Sequence, residues 1–240
     1  MPARTSSVVA HNATIRPGPL ANKAVVLFGP PGSGKGTQSK FLMARFGIPQ
    51  ISTGDMLREH IQRGDAIGMA IQARMKAGSL VPDELVNVLV RERLAEPDCA
   101  NGFILDGYPR TRQQAEVLIG LLRELGRDEV VIHLVVDYNI IIDRISGRRV
   151  CPKCGTLYNS SSRPPRVTGI CDLDGVTLVI REDDREPVVR ERLEAYEDQT
   201  RPLIEFFRGA GHRLIEVDAS HGTPETVFGK ILERLLQDPA

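Results

Sequence analysis

The chain has 240 residues, of which 41% are hydrophobic and 26% are charged, as in a folded globular protein rather than a disordered or fibrous one. Its 31 basic and 31 acidic side chains cancel, which argues against a general nucleic-acid or membrane-surface binder, because such proteins carry a basic excess. No apolar segment approaches the roughly 18 residues needed to span a bilayer. We therefore expect one compact domain with insertions, located in the cytoplasm, with no nucleic-acid or membrane partner.

Residues 1–22 are predicted to form a flexible N-terminal extension, because they contain Arg4 and Arg16 but no acidic residue and show no hydrophobic periodicity. A basic, acid-poor leader is also typical of an organelle transit peptide, and an extension of bacterial type is an equal alternative. Organelle targeting by this segment stays open. The folded domain is expected over residues 23–240.

From residue 23 onward, short apolar segments alternate with helical patterns, which is typical of an α/β fold. Two helix starts carry clear signals: Thr111 with Gln114 forms a capping-box pattern, and Thr223 is followed by Pro224 at the first helical position. We expect five strands in one parallel sheet. They are predicted at residues 24–28, 48–51, 103–105, 130–136 and 213–217.

A glycine-rich segment, GPPGSGKGT at residues 29–37, connects the first predicted strand to a helix. In a phosphate-binding loop of this kind, backbone N–H groups and the helix N-terminus surround phosphate oxygens and the lysine reaches the terminal phosphates. A glycine-rich turn with an exposed lysine is the alternative. Because Gly36 separates the lysine from the hydroxyl of Thr37, direct magnesium ligation by that hydroxyl is not assumed. The residues predicted to hold the donor phosphates are Gly32, Ser33, Gly34, Lys35, Gly36 and Thr37.

Two further polar segments follow predicted strands: STGDMLR at residues 52–58 and FILDGYPR at residues 103–110. Both lie at strand carboxyl ends, where open α/β sheets bind ligands. Asp106, after an apolar strand, has the position of a carboxylate that holds magnesium through water. A turn-initiating aspartate before Gly107 is the alternative.

Together these segments resemble the adenylate kinase family of nucleoside monophosphate kinases. The motifs GPPGSGKGT, STGDMLR, DGYPRT, GRR and REDD occur in the family order, and the resemblance covers about residues 23–236. It implies a monomer that transfers the γ-phosphoryl of ATP to AMP with Mg²⁺, giving two ADP. Thr53 favours AMP over UMP or CMP, since pyrimidine-accepting relatives commonly carry alanine there. The resemblance assigns to the AMP side Thr53, Arg58, Ser79, Leu80, Val81, Gly107, Tyr108, Pro109, Arg110, Gln114, Arg181 and Arg192.

The arginines in these motifs have a physical rationale. Phosphoryl transfer spreads negative charge over the migrating group, and guanidinium ions grip its oxygens in bidentate fashion. The resemblance assigns to the ATP side Arg144, which stacks near the base, Arg148, Leu157 and Tyr158, and it makes Asp183 and Asp184 the partners that orient the arginines. Catalytic roles are expected for Lys35, Arg110, Arg148, Arg181 and Arg192, with Arg58, Arg144 and Arg149 in the same constellation.

Residues 147–184 break the alternation, with paired prolines, several glycines and no helical stripe, and are predicted to form a small inserted module. Cys151, Cys154, Cys171 and Asp174 have the spacing of a zinc ribbon in which a carboxylate replaces one thiolate. From the spacing alone, incidental reduced cysteines and a disulfide are alternatives. The resemblance adds the zinc-bearing lid of bacterial family members, and four filled positions imply a structural Zn²⁺.

The predicted fold is thus a P-loop five-stranded parallel sheet flanked by helices, with a helical AMP-binding insertion at residues 52–81 and a zinc-ribbon-like lid at residues 147–184. Lid closure is expected to exclude water so that AMP receives the phosphoryl group. Two rivals stay open: another nucleoside monophosphate kinase, such as a GTP:AMP phosphotransferase, and a zinc-ribbon protein that uses ATP as a regulatory ligand for nucleic acid. The sequence leaves open the donor preference and the base contact in residues 218–224.

Overall fold

The computed structural model describes residues 20–237, so residues 1–19 of the expected extension lie outside the described residues. The expected boundary after residue 22 needs a correction. Leu20 is fully buried in the core beneath the sheet, and the N–H of Asn22 donates to the carbonyl of Asn101 over 2.9 Å. Residues 20–22 therefore belong to the packed domain, because Leu20 fills core volume.

The strands confirm the predicted sheet. Within residues 20–237 they are β1 Lys23–Phe28, β2 Gln50–Ser52, β3 Phe103–Asp106, β4 Asp128–Val135, β5 Arg148–Val150, β6 Leu157–Asn159 and β7 Arg213–Asp218. Five of them pair in the order β2-β3-β1-β4-β7, and all four pairings are parallel. The second strand begins two residues later than expected, after Pro49, which has no N–H to donate to a strand ladder.

The helices alternate with these strands and cover both faces of the sheet. In the described part of the chain they are α1 Lys35–Phe46, α2 Thr53–Arg63, α3 Ala66–Ala77, α4 Asp83–Leu94, α5 Arg112–Glu124, α6 Tyr138–Ser146, α7 Glu186–Ala195, α8 Pro202–Gly209 and α9 Pro224–Gln237. None of them is both long and apolar enough to cross a membrane.

Alternation along β1 explains the two-sided core. Val26 packs with α3, α4, α5 and α8 on one face, whereas Val25 and Leu27 pack with α1 and α9 on the other. A parallel strand buried on both faces has to be apolar at nearly every position, and β1 is five-sixths buried in the sequence KAVVLF. This double burial fixes the sheet and with it the loops at its carboxyl edge.

Both predicted helix starts are confirmed, but one differs in detail. Thr111 caps α5 by accepting a hydrogen bond from the N–H of Gln114 over 3.2 Å, and α9 begins at Pro224. The amide oxygen of Gln114 does not return to Thr111; it accepts instead from the N–H of Arg110 over 2.8 Å. Only one of the two hydrogen bonds of the capping box is therefore formed. The Gln114 side chain instead ties the loop between β3 and α5 to the start of α5.

Two segments extend from the carboxyl edge of the sheet. The first contains α2 and α3, which approach so closely that a Cβ at Gly68 would clash with the carbonyl group of His60. The second contains the antiparallel pair β5–β6 and a small core of its own. That core consists of Cys151, Tyr158, Cys171 and Leu178 with Val176 against it.

Candidate functional site

The loop at residues 29–37 follows β1 and opens α1. Its glycines are required by the backbone: Gly32 has a φ of 82°, and a Cβ there would lie 2.8 Å from the side chain of Ile145. The ammonium of Lys35 curls back over the loop and donates to the carbonyls of Gly29 over 2.7 Å and Pro30 over 3.0 Å. Burial lowers the pKa of Lys35 to about 8, although Asp106 opposes this change. The loop therefore holds its cation in a site short of negative charge.

Asp106 ends β3 beside this loop. Its Oδ2 accepts from the amide of Gln50 over 2.8 Å and would lie 3.5 Å from a Cβ at Gly36. Burial raises the pKa of Asp106, and Lys35 acts in the opposite direction. Asp106 and Thr37 line the same cleft, and carboxylate and hydroxyl oxygens are the donors that magnesium prefers. The residues present thus fit a magnesium ion held between them and a phosphate. Sequence reasoning missed Gln50, whose position at the start of β2 carried no signal of this role.

A cleft of about 270 Å³ runs from the phosphate loop along the carboxyl edge of the sheet. The arginines that line it are Arg58, Arg110, Arg144, Arg148, Arg163, Arg181 and Arg192, of which sequence reasoning missed Arg163. Arg149, expected in the same constellation, does not line it; this arginine donates to the carbonyls of Ser146 and Arg148 instead. The correction follows from strand geometry, because neighbouring residues of β5 project to opposite sides.

Two aspartates orient these arginines. The carboxylate of Asp184, whose side chain has no exposed surface, makes a bidentate pair with Arg148 and lies 3.5 Å from Arg192. Asp183 lies 3.0 Å from Arg192 and 3.7 Å from Arg58. Burial, which acts to raise the pKa of Asp183, is outweighed by the surrounding arginines, so this pKa is lowered. Asp183 is therefore charged at neutral pH, and both aspartates hold the guanidinium groups at the cleft.

A smaller pocket opens off the cleft between α2, α3 and the end of β3. It brings together nine of the residues expected on the AMP side: Thr53, Arg58, Ser79, Leu80, Val81, Gly107, Arg110, Gln114 and Arg192. Arg181, expected there too, lines only the cleft. Sequence reasoning missed the apolar wall formed by Leu57, Met75 and Val86, because apolar helix positions signal core packing and a binding wall equally well.

Tyr108 and Pro109 were both expected to contact AMP, but neither lines the small pocket. The ring of Tyr108 is 1% exposed and its hydroxyl donates to the amide oxygen of Asn87 over 2.8 Å, so the side chain belongs to the core and not to the pocket. Pro109 lines a neighbouring cavity that also contains Lys35. The segment after β3 therefore offers its backbone and Arg110, rather than its aromatic ring, to a ligand.

The opposite end of the cleft lies between α1, α6, β6 and the start of α9. Leu157 and Tyr158, predicted on the ATP side, line this end. Arg144 lies there too, and its guanidinium donates to the carbonyls of Ala219 over 2.7 Å and Ser220 over 3.3 Å. Sequence reasoning missed Gln38, a buried residue of α1 that lines this end.

The four predicted metal ligands converge. One donor atom from each of Cys151, Cys154, Cys171 and Asp174 lies within 4.8 Å of the others; the Sγ atoms of Cys154 and Cys171 are 3.6 Å apart, and Cys151 Sγ lies 3.2 Å from an Asp174 oxygen. Tetrahedral zinc with bonds of about 2.3 Å to sulfur and 2.0 Å to oxygen implies ligand separations of roughly 3.5–3.8 Å. A disulfide of about 2.05 Å is not present, and the cysteines are free.

Two matching turns build this candidate metal centre. In the first, the N–H of Gly155 donates to the carbonyl of Cys151; in the second, the N–H of Gly175 donates to the carbonyl of Cys171, each over 3.0 Å. Both glycines have a φ near 70°, which L side chains rarely adopt. The sequences CPKCG and CDLDG therefore form the same knuckle twice, a signal that the ligand spacing alone did not reveal.

Known proteins resemble this chain over most of its length. It matches the family model described as adenylate kinase over residues 27–212. The adenylate kinase of Anaeromyxobacter dehalogenans (strain 2CP-1) is 50% identical over 214 residues, which is 88% of this chain and 99% of the relative. That of Thermosipho melanesiensis is 49% identical over 197 residues, 82% and 92% respectively, and that of Moorella thermoacetica is 47% identical over 213 residues, 88% and 98%. The matched residues include the phosphate loop, the small pocket and the four candidate metal ligands.

Proposed function

The chain belongs to the adenylate kinase family, and from this premise we propose that it catalyses the reversible, magnesium-dependent transfer of the ATP γ-phosphoryl group to AMP, giving two ADP. The single observation that carries the proposal is that the cleft and the small pocket share one wall. Gly54, Arg58, Gly107, Arg110 and Arg192 line both. Two phosphate-bearing ligands, one in each, would meet at these guanidinium groups.

The cleft suits the donor. Lys35 and the loop N–H groups would bind the β- and γ-phosphates, and Asp106 with Thr37 would hold Mg²⁺, which neutralises phosphate charge when bound. Because Lys35 now donates to the carbonyls of Gly29 and Pro30, phosphate oxygens would replace backbone carbonyls as its acceptors. A charged acceptor makes the stronger hydrogen bond.

The small pocket suits AMP. Thr53 is held by its hydroxyl, which donates to the carbonyl of Gly107 over 2.8 Å. The Gln114 amide uses one N–H on Asp83 and one lone pair on the N–H of Arg110. A primary amide has two N–H groups and two lone pairs on oxygen, so one of each stays available for the edge of adenine. The apolar wall of Leu57, Met75 and Val86 would cover the ring.

Transfer needs no nucleophilic side chain. An α-phosphate oxygen of AMP attacks the γ-phosphorus while the bond from that phosphorus to the β,γ-bridging oxygen breaks, and the electron pair leaves with ADP. Arg110 and Arg192, which line both pockets, would bind the equatorial oxygens on which charge develops, and Arg148 and Arg181 would close from the lid side. Positioning and charge stabilisation supply the acceleration.

Zinc would have a structural role. The four ligands fill a tetrahedral site and leave no position for a substrate, and the surrounding core contains few apolar side chains. We assign residues 147–184 to a lid and residues 52–81 to an AMP-binding segment. A monomeric state and a cytoplasmic location complete the proposal; the formal net charge of zero supports a small-molecule ligand over nucleic acid.

A coupled assay of ADP formation tests the function. We expect rapid ADP production from ATP, Mg²⁺ and AMP, less with UMP, CMP or GMP, and slow phosphate release without an acceptor. Equal phosphate release with and without AMP would reject phosphoryl transfer in favour of hydrolysis. Faster turnover with GTP than with ATP would favour the GTP:AMP alternative, and nucleotide binding without any AMP-dependent product would favour the regulatory zinc-ribbon alternative.

A further inference from the structure

The hydroxyl of Tyr158 connects the two halves of the candidate metal centre. Tyr158 lies on β6, which follows the first knuckle, and is 5% exposed. Its hydroxyl oxygen accepts a hydrogen bond from the N–H of Asp172 over 2.8 Å and lies 3.5 Å from the Sγ of Cys171. Asp172 and Cys171 both belong to the second knuckle. One side chain therefore joins two knuckles that are separate along the chain.

The direction of the contact with sulfur follows from the chemistry of the two groups. A phenol has one proton to donate, and the N–H of Asp172 already points at the oxygen of Tyr158, so that proton has to lie on another side. A thiol that coordinates zinc loses its proton, and the Sγ of Cys171 can then only accept. With zinc bound, the hydroxyl of Tyr158 is thus the donor.

The centre needs such donors because its ligands carry more negative charge than one zinc ion neutralises. Three thiolates and one carboxylate would surround a divalent cation. Each ligand has an N–H or O–H group beside it: the N–H of Cys154 at 3.5 Å from Cys151 Sγ, the hydroxyl of Thr156 at 3.1 Å from Cys154 Sγ, the hydroxyl of Tyr158 at Cys171 Sγ, and the N–H of Val176 at 3.0 Å from Asp174 Oδ1. Of the two side-chain hydroxyls in this set, that of Tyr158 belongs to a buried residue.

We propose that Tyr158 is a positioning residue of the zinc centre, whose hydroxyl donates a hydrogen bond to the metal-bound Sγ of Cys171. The inference rests on the structural zinc of the proposed function. The hydrogen bond offsets negative charge on the sulfur and holds Sγ in place, and burial strengthens this electrostatic effect. Hydrogen-bond partners of metal ligands contribute about 10–100-fold to metal affinity.

The test removes a single oxygen atom in Tyr158→Phe, which keeps the aromatic ring in the core of the lid. Zinc affinity is measured on the full chain under reducing conditions, by competition with a chelating indicator, and we expect it to be about tenfold weaker than in the wild type. Tyr196→Phe is the matched control. Tyr196 is also buried and its hydroxyl lies 3.3 Å from the Nε2 of His133, but it is outside the lid, so zinc affinity should not change.

A cobalt spectrum separates hydrogen bonding to sulfur from simple support of the loop, because Tyr158→Phe also removes the acceptor of the Asp172 N–H. A hydrogen bond lowers the energy of the sulfur lone pair and therefore raises the energy of the sulfur-to-cobalt charge-transfer band. We expect this band at longer wavelength in cobalt-loaded Tyr158→Phe than in the wild type, and at an unchanged wavelength in Tyr196→Phe. Loss of loop support alone would weaken metal binding without moving the band.

Unchanged zinc affinity in Tyr158→Phe would overturn the proposal, and so would weaker affinity with an unmoved cobalt band. If the variant does not fold, the wild type decides. In its cadmium-loaded form the hydroxyl proton of Tyr158 should exchange slowly with water and show a scalar coupling to the cadmium nucleus in NMR spectra, and absence of that coupling overturns the proposal. Wild-type protein that binds no metal rejects the structural zinc and this inference together. Failure of the proposed phosphoryl transfer is distinct, because an absent AMP-dependent product leaves these metal readouts unchanged.

Discussion

The substitution Lys35→Met separates the effect of the buried ammonium group on folding stability from its effect on turnover. The variant keeps the length of the side chain and removes the ammonium, which lies among Arg110, Arg148 and Arg192. Turnover with saturating ATP and AMP should fall by orders of magnitude, because Lys35 would contact charge that develops during transfer. The folded protein, in contrast, should become more stable at pH 7.

The size of that gain follows from the pKa of Lys35, which burial lowers from 10.5 to about 8. At about 1.4 kcal/mol for each pH unit, keeping this side chain protonated at pH 7 costs the folded state about 3 kcal/mol. The cleft admits water, and Asp106 loses its neighbouring cation in the variant, so both reduce the gain. We expect Lys35→Met to raise the free energy of unfolding by about 1–2 kcal/mol.

The lowered pKa of Lys35 in the folded state also fixes how the stability difference between wild type and variant changes with pH. Between pH 8 and 10.5 the unfolded chain retains a proton that folded Lys35 has lost, so wild-type stability rises relative to the variant across this window. Urea unfolding without nucleotide at pH 7 and pH 9.5 measures the difference, which should shrink at the higher pH. Lys40→Met, an exposed lysine on the same helix, is the control and should change stability by less than about 0.5 kcal/mol. A variant less stable than wild type at pH 7, or a difference that grows with pH, would refute the reasoning.

Three further predictions concern the arginines and the metal. Arg110→Ala should lower kcat by orders of magnitude with an unchanged circular dichroism spectrum; near-normal turnover at saturating substrates would contradict its assigned contact with the transferring group. Asp184→Asn should destabilise the protein by about 3 kcal/mol in urea unfolding, because a carboxylate with no exposed surface leaves Arg148 and Arg192 uncompensated, and saturating ATP should restore part of the loss; an unchanged midpoint would show that the pairs contribute nothing. The purified protein should contain about one zinc per chain, and chelation or Cys154→Ser should lower its melting temperature while leaving partial activity at low temperature; metal-free protein of unchanged thermal stability would contradict a structural zinc.

The sheet was predictable from sequence because its signal is local and strong. Strands such as β1 and β3 are buried on both faces, so they read as continuous apolar segments, and the phosphate loop follows β1 directly. The convergence of Cys151, Cys154, Cys171 and Asp174 was predictable for the same reason, since each pair spans only four residues. A feature that lies within one strand or one turn can be predicted from the pattern of neighbouring residues in the sequence.

The direction in which individual side chains point was harder to predict from the sequence. Arg149 belongs to the same motif as Arg148, yet the two project from opposite sides of β5, and Tyr108 turns into the core from a segment that otherwise borders the cleft. The strand register that decides the first case and the packing around Asn87 that decides the second are set by tertiary contacts. Gln38 was missed because a glutamine inside a helix is ordinarily a solvated residue.

The ion pairs of the cleft fall into two groups. Short pairs hold arginine side chains in position, whereas longer pairs can be replaced by contacts with a ligand. Arg148 and Arg192 are paired closely with Asp184 and Asp183, which lie only a few residues from α7. The pairs that join the two insertions are longer, 3.7 Å between Arg58 and Asp183.

The second such pair, between Arg181 and Asp55, spans 3.9 Å. At these distances and partial exposure an ion pair contributes little, whereas a phosphate between the same groups would offer each arginine a charged, bidentate acceptor. Burial already lowers the pKa of Arg181 and of Arg192 to about 10, which indicates that guanidinium charge is incompletely compensated there. Nucleotide phosphates would thus replace the long pairs between the insertions and leave the short ones in place, so that binding draws the insertions together around arginines that are already oriented.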